Sequence, residues 1–361
     1  MNWFLVTTNR CNFYCQYCQN EPHPDLPVNA SWDIKQLKNF ISQDPNPTIA
    51  FYGGEPLLNL KLIKEVMDEI HAEHYTIQTN GWLLNKLSKE YLLRFSTILI
   101  SIDGDKEITD ANRGEGVFDK IKDNIRIIRE KGFKGDLIAR MAVSETADIF
   151  RDVYFLLNDE ELGFNHVHWQ LDVLWDDIEH TRWKDLDSWI INYNNGISKL
   201  VNYWLKEMKK GKILGIVPFL GIFWNILNDK KTSLPCQAGL TSFAVRTDGV
   251  ITVCPLPPEY EFSVVGNIKE NKPSDVLNSV LIEEPCLSCE VYDLCGGRCL
   301  FANKTKLWGE EGFAKVCRTV KHLISELKKI KPDVEKLIEN GIIRKEDLNY
   351  PKYNNTTEII P

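Results

Sequence analysis

Three cysteines, Cys11, Cys15 and Cys18, fall in the run Cys-Asn-Phe-Tyr-Cys-Gln-Tyr-Cys directly behind the apolar stretch Trp3-Phe4-Leu5-Val6. This CxxxCxxC spacing constrains the chain more than any other feature. Iron–sulfur clusters are normally held by four cysteines, so a tight set of three leaves one iron of a cubane open to a non-protein ligand. The competing readings are a zinc site and three unrelated buried thiols. Structural zinc wants four ligands, usually as two CxxC-like pairs. This region offers no fourth cysteine and no well-spaced histidine.

Seven more cysteines lie far downstream. Cys236 and Cys254 read C-x12-G-x4-C through Gly249, Cys286, Cys289, Cys295 and Cys299 read C-x2-C-x5-C-x3-C, and Cys317 closes the set. The second group alone would also suit a treble-clef or ribbon-type zinc domain. Two cubanes held only by cysteine need eight thiolates, at four each, and this region supplies seven.

The 361 residues, 43% of them hydrophobic, can bury a large core in two or three structural units. A net charge of −8 without a basic, aromatic-interleaved stripe argues against a nucleic-acid partner. No stretch approaches the roughly 20 apolar residues of a membrane helix, and Met1 to Val6 is too short and lacks the basic lead-in of a signal peptide. Ten cysteines in such a chain point to metal ligation in a reducing cytosol rather than to disulfides. A cytoplasmic protein with no membrane partner is expected, in which the sequon Asn355-Thr356-Thr357 is idle.

Short β-rich runs alternate with helical patterns, the signature of βα units and a parallel sheet. Strands are expected at residues 3–8, 48–52, 75–79, 98–102, 137–143 and 166–173. Helices are expected at residues 32–42, capped by Ser31, and at 60–71, 117–131 and 147–158. Six units make an α/β fold, a partial (β/α)6 TIM-type barrel over residues 1–176. A helical bridge at 177–233 then carries Trp183, Trp189, Trp204 and Trp224 as core packing. A cysteine-rich domain follows at 234–320, then helices and tail at 321–361. In that last part Pro332 opens a second helix, and residues 349–361 are polar and loose.

In barrels of this type chemistry sits on the loops after the strands. The cysteine triad follows the first strand, Gly53-Gly54-Glu55-Pro56 the second, Gln78-Thr79-Asn80-Gly81 the third and Ser101-Ile102-Asp103-Gly104 the fourth. All four share one rim. Glycines let the chain approach a ligand closely, and a carboxylate accepts from an ammonium; Asp103 could equally cap a helix. Arg140, in an otherwise apolar strand, needs a partner if buried. In the sixth strand His166, His168, Gln170 and Asp172 alternate with Val167, Trp169 and Leu171. The polar set faces either the barrel interior, where substrate should lie, or solvent along an open edge.

These motifs together resemble the radical S-adenosylmethionine (SAM) superfamily, and the later cysteines resemble its SPASM extension, with Gly266-Asn267-Ile268 also in place. The resemblance covers Cys11 to Cys317. It implies three 4Fe-4S clusters and SAM. The SAM cluster would sit on Cys11, Cys15 and Cys18, a proximal auxiliary cluster on Cys236, Cys254 and Cys299, and a distal one on Cys286, Cys289, Cys295 and Cys317. It places Tyr17 near the adenine, Gly53, Gly54, Glu55 and Pro56 at the SAM amino group, Gln78 and Asn80 beside them, and Ser101 and Asp103 near the ribose and carboxylate. Arg113 and Arg140 become candidates for the SAM carboxylate, and His166, His168, Gln170 and Asp172 for substrate contact. The implied activity is hydrogen abstraction by a 5′-deoxyadenosyl radical from a peptide or protein side chain, fed by a flavodoxin or ferredoxin-type donor. Cross-linking, thioether formation, oxidation and epimerisation all stay open. Formylglycine formation is disfavoured, because Pro255 stands where sulfatase-maturating relatives carry an Asp and residues 229–232 lack their extra cysteine. Because the chain starts at the first strand, no N-terminal peptide-recognition domain is expected. A radical SAM enzyme acting on a small molecule and a non-catalytic iron–sulfur or zinc protein are the alternatives.

Overall fold

The computed structural model describes residues 1–18, 24–172, 184–255 and 260–354. The barrel portion runs β1 (Asn2–Thr8), α1 (Ile34–Ile41), β2 (Thr48–Gly53), α2 (Leu60–Glu69), β3 (His74–Thr79), α3 (Lys89–Leu92), β4 (Phe95–Ser101), α4 (Lys106–Arg113), α5 (Val117–Glu130), β5 (Asp136–Val143), α6 (Ile149–Asn158) and β6 (His166–Leu171). Then follow α7 (Leu186–Met208), α8 (Val217–Leu227), β7 (Ser242–Val245), β8 (Val250–Thr252), β9 (Val264–Asn267), α9 (Tyr292–Cys295), α10 (Leu300–Thr305) and α11 (Gly309–Glu339). Residue 173, Trp183 and the sequon at Asn355 lie outside the described residues.

The six expected strands form a parallel sheet in sequence order, and their near-continuous apolar runs are buried because helices cover the outer face. Each strand presents alternate residues to the two sides. Trp3, Leu5, Ile49, Phe51 and Ile77 pack outward in the main core, whereas Phe4, Ala50 and Ala244, with Tyr52 against them, form a separate cluster inside.

One boundary differs from expectation. The cysteine-rich region does not start as a separate unit: its first strand, β7, pairs in parallel with β1, from Asn2↔Ser242 to Leu5↔Val245, and β8 and β9 extend the same sheet antiparallel. An unpaired β1 edge would expose a row of backbone donors and acceptors, and β7, buried along its whole length, satisfies them.

Helix limits move by a residue or two. Asp33 caps α1, accepting from the Lys35 N–H at 2.6 Å, while Ser31 donates to the Thr247 carbonyl at 3.0 Å. Pro332 does not open a new helix. It lies inside the 31-residue α11, whose buried stripe of Leu327, Ile330, Val334 and Leu337 continues across it. Of the bridge tryptophans, Trp189 and Trp204 pack as expected, Trp204 edge-on to Phe219 and Phe223 and Trp189 stacked on Tyr193. The start of the tail is docked rather than loose: Tyr353 stacks on His74 at 3.5 Å, and Thr97 Oγ1 donates to Asn354 at 3.1 Å. Residues 350–354 thereby close the barrel end opposite the rim. No helix among the described residues is long and apolar enough to cross a membrane.

Candidate active site

The rim is built by short loops whose geometry only certain residues permit. Gly53 takes φ +135°, and a Cβ there would stand 2.2 Å from the Thr8 carbonyl oxygen. That contact lets the loops after β1 and β2 interlock: Gly54 N–H donates to Thr8 and Glu55 N–H to Arg10, at 2.9 and 2.8 Å. Glu55 is fully buried. Its carboxylate accepts from Leu57 N–H at 2.9 Å, Thr79 Oγ1 at 2.8 Å and Asn80 N–H at 2.7 Å. Burial outweighs these donors and pushes its pKa up to about 7. Asn80 turns its amide to Asn12 at 2.8 Å and towards Cys11 Sγ at 3.8 Å.

The triad loop is tied to the fourth rim loop and the helix after it. Gln16 N–H and its side-chain amide donate to the Asn112 and Ala111 carbonyls. Burial raises the Cys11 thiol and pushes Cys15 up to about 11; Cys11 feels Cys18, and Cys15 feels both Cys18 and Cys11. Thiols raised in this way are poor free ions, and iron binding, which requires thiolates, supplies the missing counter-charge.

Asp103 is enclosed and its oxygens are taken by protein donors. Arg113 bonds it through two nitrogens, at 3.0 and 2.7 Å, Tyr17 Oη donates at 2.6 Å, Asn112 at 3.2 Å and Ala142 N–H at 3.0 Å. The Arg113 guanidinium lies over the Tyr17 ring, 5.4 Å from its centroid. Asp103, Arg113 and Tyr17 thus brace the loops against one another.

Arg140 is different. It is buried, its Nε has no hydrogen-bond partner, and one Nη meets His168 Nδ1. Burial pulls its pKa down to about 9. Ser101 is its register partner across β4 and β5. On the inner face of β3, Thr76 Oγ1 and Gln78 Oε1 are likewise buried and without partners. A buried carboxylate with acceptor capacity left and a buried guanidinium lacking a carboxylate suit a ligand carrying both an ammonium and a carboxylate, as SAM does.

Strand β6 follows its alternation. Val167, Trp169 and Leu171 enter the core, Trp169 edge-on to Phe219 of α8, and its edge is covered by residues 214–216, with Val167 N–H donating to Gly215 at 2.8 Å. His168 is buried beside Arg140, Gln170 is half-buried nearer the rim, and Asp172 lies just past the strand end. His166 departs from the expected role. It starts the strand, binds Asp136 at 2.7 Å and meets the Tyr350 ring edge-on, at the barrel end opposite the cysteine triad.

Sequence reasoning missed Tyr52. Its ring packs on Phe4 inside the barrel, and burial raises its phenol, which feels Arg140, Cys18 and Cys254. The alternation Thr48, Ala50, Tyr52 along β2 was the available signal.

Among the later cysteines, Cys286, Cys289, Cys295 and Cys317 frame one small cavity of about 30 Å³ together with Arg298, Tyr292 and Phe313. Burial pushes Cys286 up to about 11 and Cys295 to about 12. Cys236 and Cys254 pack in an apolar cluster with Leu234 and Val253, and Cys299 in a neighbouring one that shares Phe262 and Phe313. Among the described residues no group of three or more His, Cys, Asp or Glu side chains could hold a single metal ion. Thiolates on a cluster need no such convergence, because each meets a different iron.

Residues 5–151 match the model of the Radical SAM superfamily. Over 338 residues the chain is 24% identical to the radical SAM cyclopropyl synthase TigE of Paramaledivibacter caminithermalis, covering 84% of this chain and 68% of that protein. In fold it is similar to native anSMEcpe with bound AdoMet and Cp18Cys peptide, with a TM-score of 0.72, 18% identity and 94% and 99% of the two chains covered. It is also similar to Streptococcus suis SuiB bound to precursor peptide SuiA, with a TM-score of 0.56, 17% identity and 83% and 72% coverage. Matched in sequence over the segment that carries the cysteine triad and the rim loops after β2, β3 and β4, residues 5–151 are a radical SAM domain.

Proposed function

We propose that this radical SAM enzyme is of the SPASM type, carries two auxiliary 4Fe-4S clusters besides the SAM cluster, and oxidatively modifies a side chain of a peptide or protein. The observation that carries the reading is the cavity framed by Cys286, Cys289, Cys295 and Cys317, in a region hydrogen-bonded into the barrel sheet beside the strand that leads to the triad. The similarity in fold to two proteins seen with peptides supports the substrate class. When bound and reduced by a flavodoxin or ferredoxin-type donor, the SAM cluster and SAM supply a 5′-deoxyadenosyl radical that abstracts hydrogen from an unactivated C–H.

The chain's part is positioning and exclusion of water. Glu55 accepts the SAM ammonium, Arg140 pairs with its carboxylate, and the bracing of Asp103, Arg113 and Tyr17 fixes the loops that cover it. Tyr52, Gln78, His168 and Gln170 line the interior above Phe4, Ala50 and Ala244 and hold the substrate. Cys11, Cys15 and Cys18 should all be required to form 5′-deoxyadenosine from SAM under strong reduction, so Cys15→Ala should lose that activity. Full cleavage by the Cys15→Ala chain would sink the assignment. Acceleration of SAM cleavage by metabolites but not by peptides would move the substrate to the small-molecule class.

A further inference from the structure

Arg298 stands between Cys295 and Cys299, residues of the two different auxiliary ligand sets, and its side chain lines the cavity framed by the distal cysteines. It is buried, its Nε has no hydrogen-bond partner, and among the described residues no carboxylate pairs with it. Its backbone sits at φ +54°, following Gly296 at +64° and Gly297 at +91°. A left-handed conformation costs a residue other than glycine on the order of 1–3 kcal/mol and persists where its surroundings enforce it, commonly at functional sites. Here Gly296 and Gly297 have no room for a side chain: a Cβ would meet Leu234 N at 2.6 Å and Ile282 Cδ1 at 2.8 Å. The turn therefore holds the guanidinium inward, where a lone cation should be expelled unless anions surround it.

Thiols supply that environment. Cys286, Cys289, Cys295 and Cys317 line the same cavity as the Arg298 side chain, and Cys299 is its neighbour in the chain. Thiolate-ligated clusters are anionic, and charge near a cluster sets its reduction potential. We propose that Arg298 is the fixed counter-charge shared by the two auxiliary clusters and holds both at higher reduction potentials than their thiolate ligands alone would give. It is a positioning residue, acting on electron affinity without touching substrate.

This inference rests on the auxiliary clusters proposed above, and one experiment separates the two. Iron analysis and EPR-monitored redox titration are run on the full wild-type holoenzyme, Arg298→Gln and Arg298→Lys, with the SAM cluster as internal reference. Arg298→Gln should lower both auxiliary midpoints so that the reduced-to-oxidised ratio at fixed potential falls about tenfold, about 59 mV for one electron. The SAM cluster should stay unchanged, and Arg298→Lys should keep wild-type midpoints. Unchanged auxiliary midpoints in Arg298→Gln, or a fall in Arg298→Lys as large as in Arg298→Gln, overturn the role of the charge. If Arg298→Gln does not retain its iron, the Lys chain decides: wild-type midpoints support the proposal and lowered ones overturn it. Wild-type protein lacking auxiliary clusters overturns the proposed function and this inference with it.

Discussion

Glu55 and Arg140 are buried charges whose protein partners leave them incompletely compensated, and Glu55 makes a pH-dependent claim. Glu55 titrates at about 7, above the ordinary 4.5, because burial outweighs its three donors. For an acid raised in the folded state, the contribution to stability is full below the unfolded value and is lost as pH rises through about 7. A bound ammonium reverses the balance by favouring the carboxylate. SAM affinity of the cluster-loaded protein should therefore climb as pH rises towards 7, by up to about tenfold per unit, with one proton released per SAM bound below that pH. Calorimetry at pH 6 in two buffers of different ionisation enthalpy measures the proton. Glu55→Gln should bind more weakly and release none; proton release that survives in the variant would exclude Glu55 as its source. At this scale the sequence was legible wherever a tetrapeptide reached the rim. It was silent on the Asp103–Arg113 pair, which forms only because α4 folds back over its own loop, and it misplaced His166, because alternation reports a face but not a depth along the barrel.

Local sequence rules read the ends of helices to within a residue or two, missing the Asp33 cap, and their continuity less well. Pro332 lacks an N–H and crowds the preceding turn, so it reads as the start of a new helix. In the molecule the apolar stripe of α11 is buried before and after it, and that packing overrides the local cost. Pro332→Ala should raise stability by up to about 3 kcal/mol, visible as a higher urea midpoint with unchanged slope. A lower midpoint would mean that Pro332 itself is needed to seat Val334 and Leu337. The pairing of β7 with β1 was equally beyond local reading: Ser242–Val245 reads as a short strand, but nothing in four residues names the edge it will meet.

Across the whole molecule the later cysteines lie within electrostatic reach of the barrel interior. Tyr52, inside the barrel, feels both Cys18 of the triad and Cys254 of the later group, and Arg298 joins Cys299 to the distal cavity. The grouping of the cysteines could be read from their spacing, and their roles as ligand sets belong to the proposal above. The burial of Cys299 in an apolar cluster apart from Cys236 and Cys254 could not be read, because it depends on how α10 packs. Counting thiolates then gives a test. Ten cysteines less the triad leave seven, one short of the eight that two cubanes require. One auxiliary cluster should therefore have an iron free for substrate or for an oxygen or nitrogen ligand, and a substrate thiol docked there would be deprotonated as it binds. A chain with Cys11, Cys15 and Cys18 all replaced by Ala should retain about eight irons, given two four-iron clusters. Its Mössbauer spectrum should show one cluster with a single distinct iron. Tightly bound zinc, or only four irons per chain, would contradict the two-cluster reading and return the later cysteines to the zinc-domain alternative.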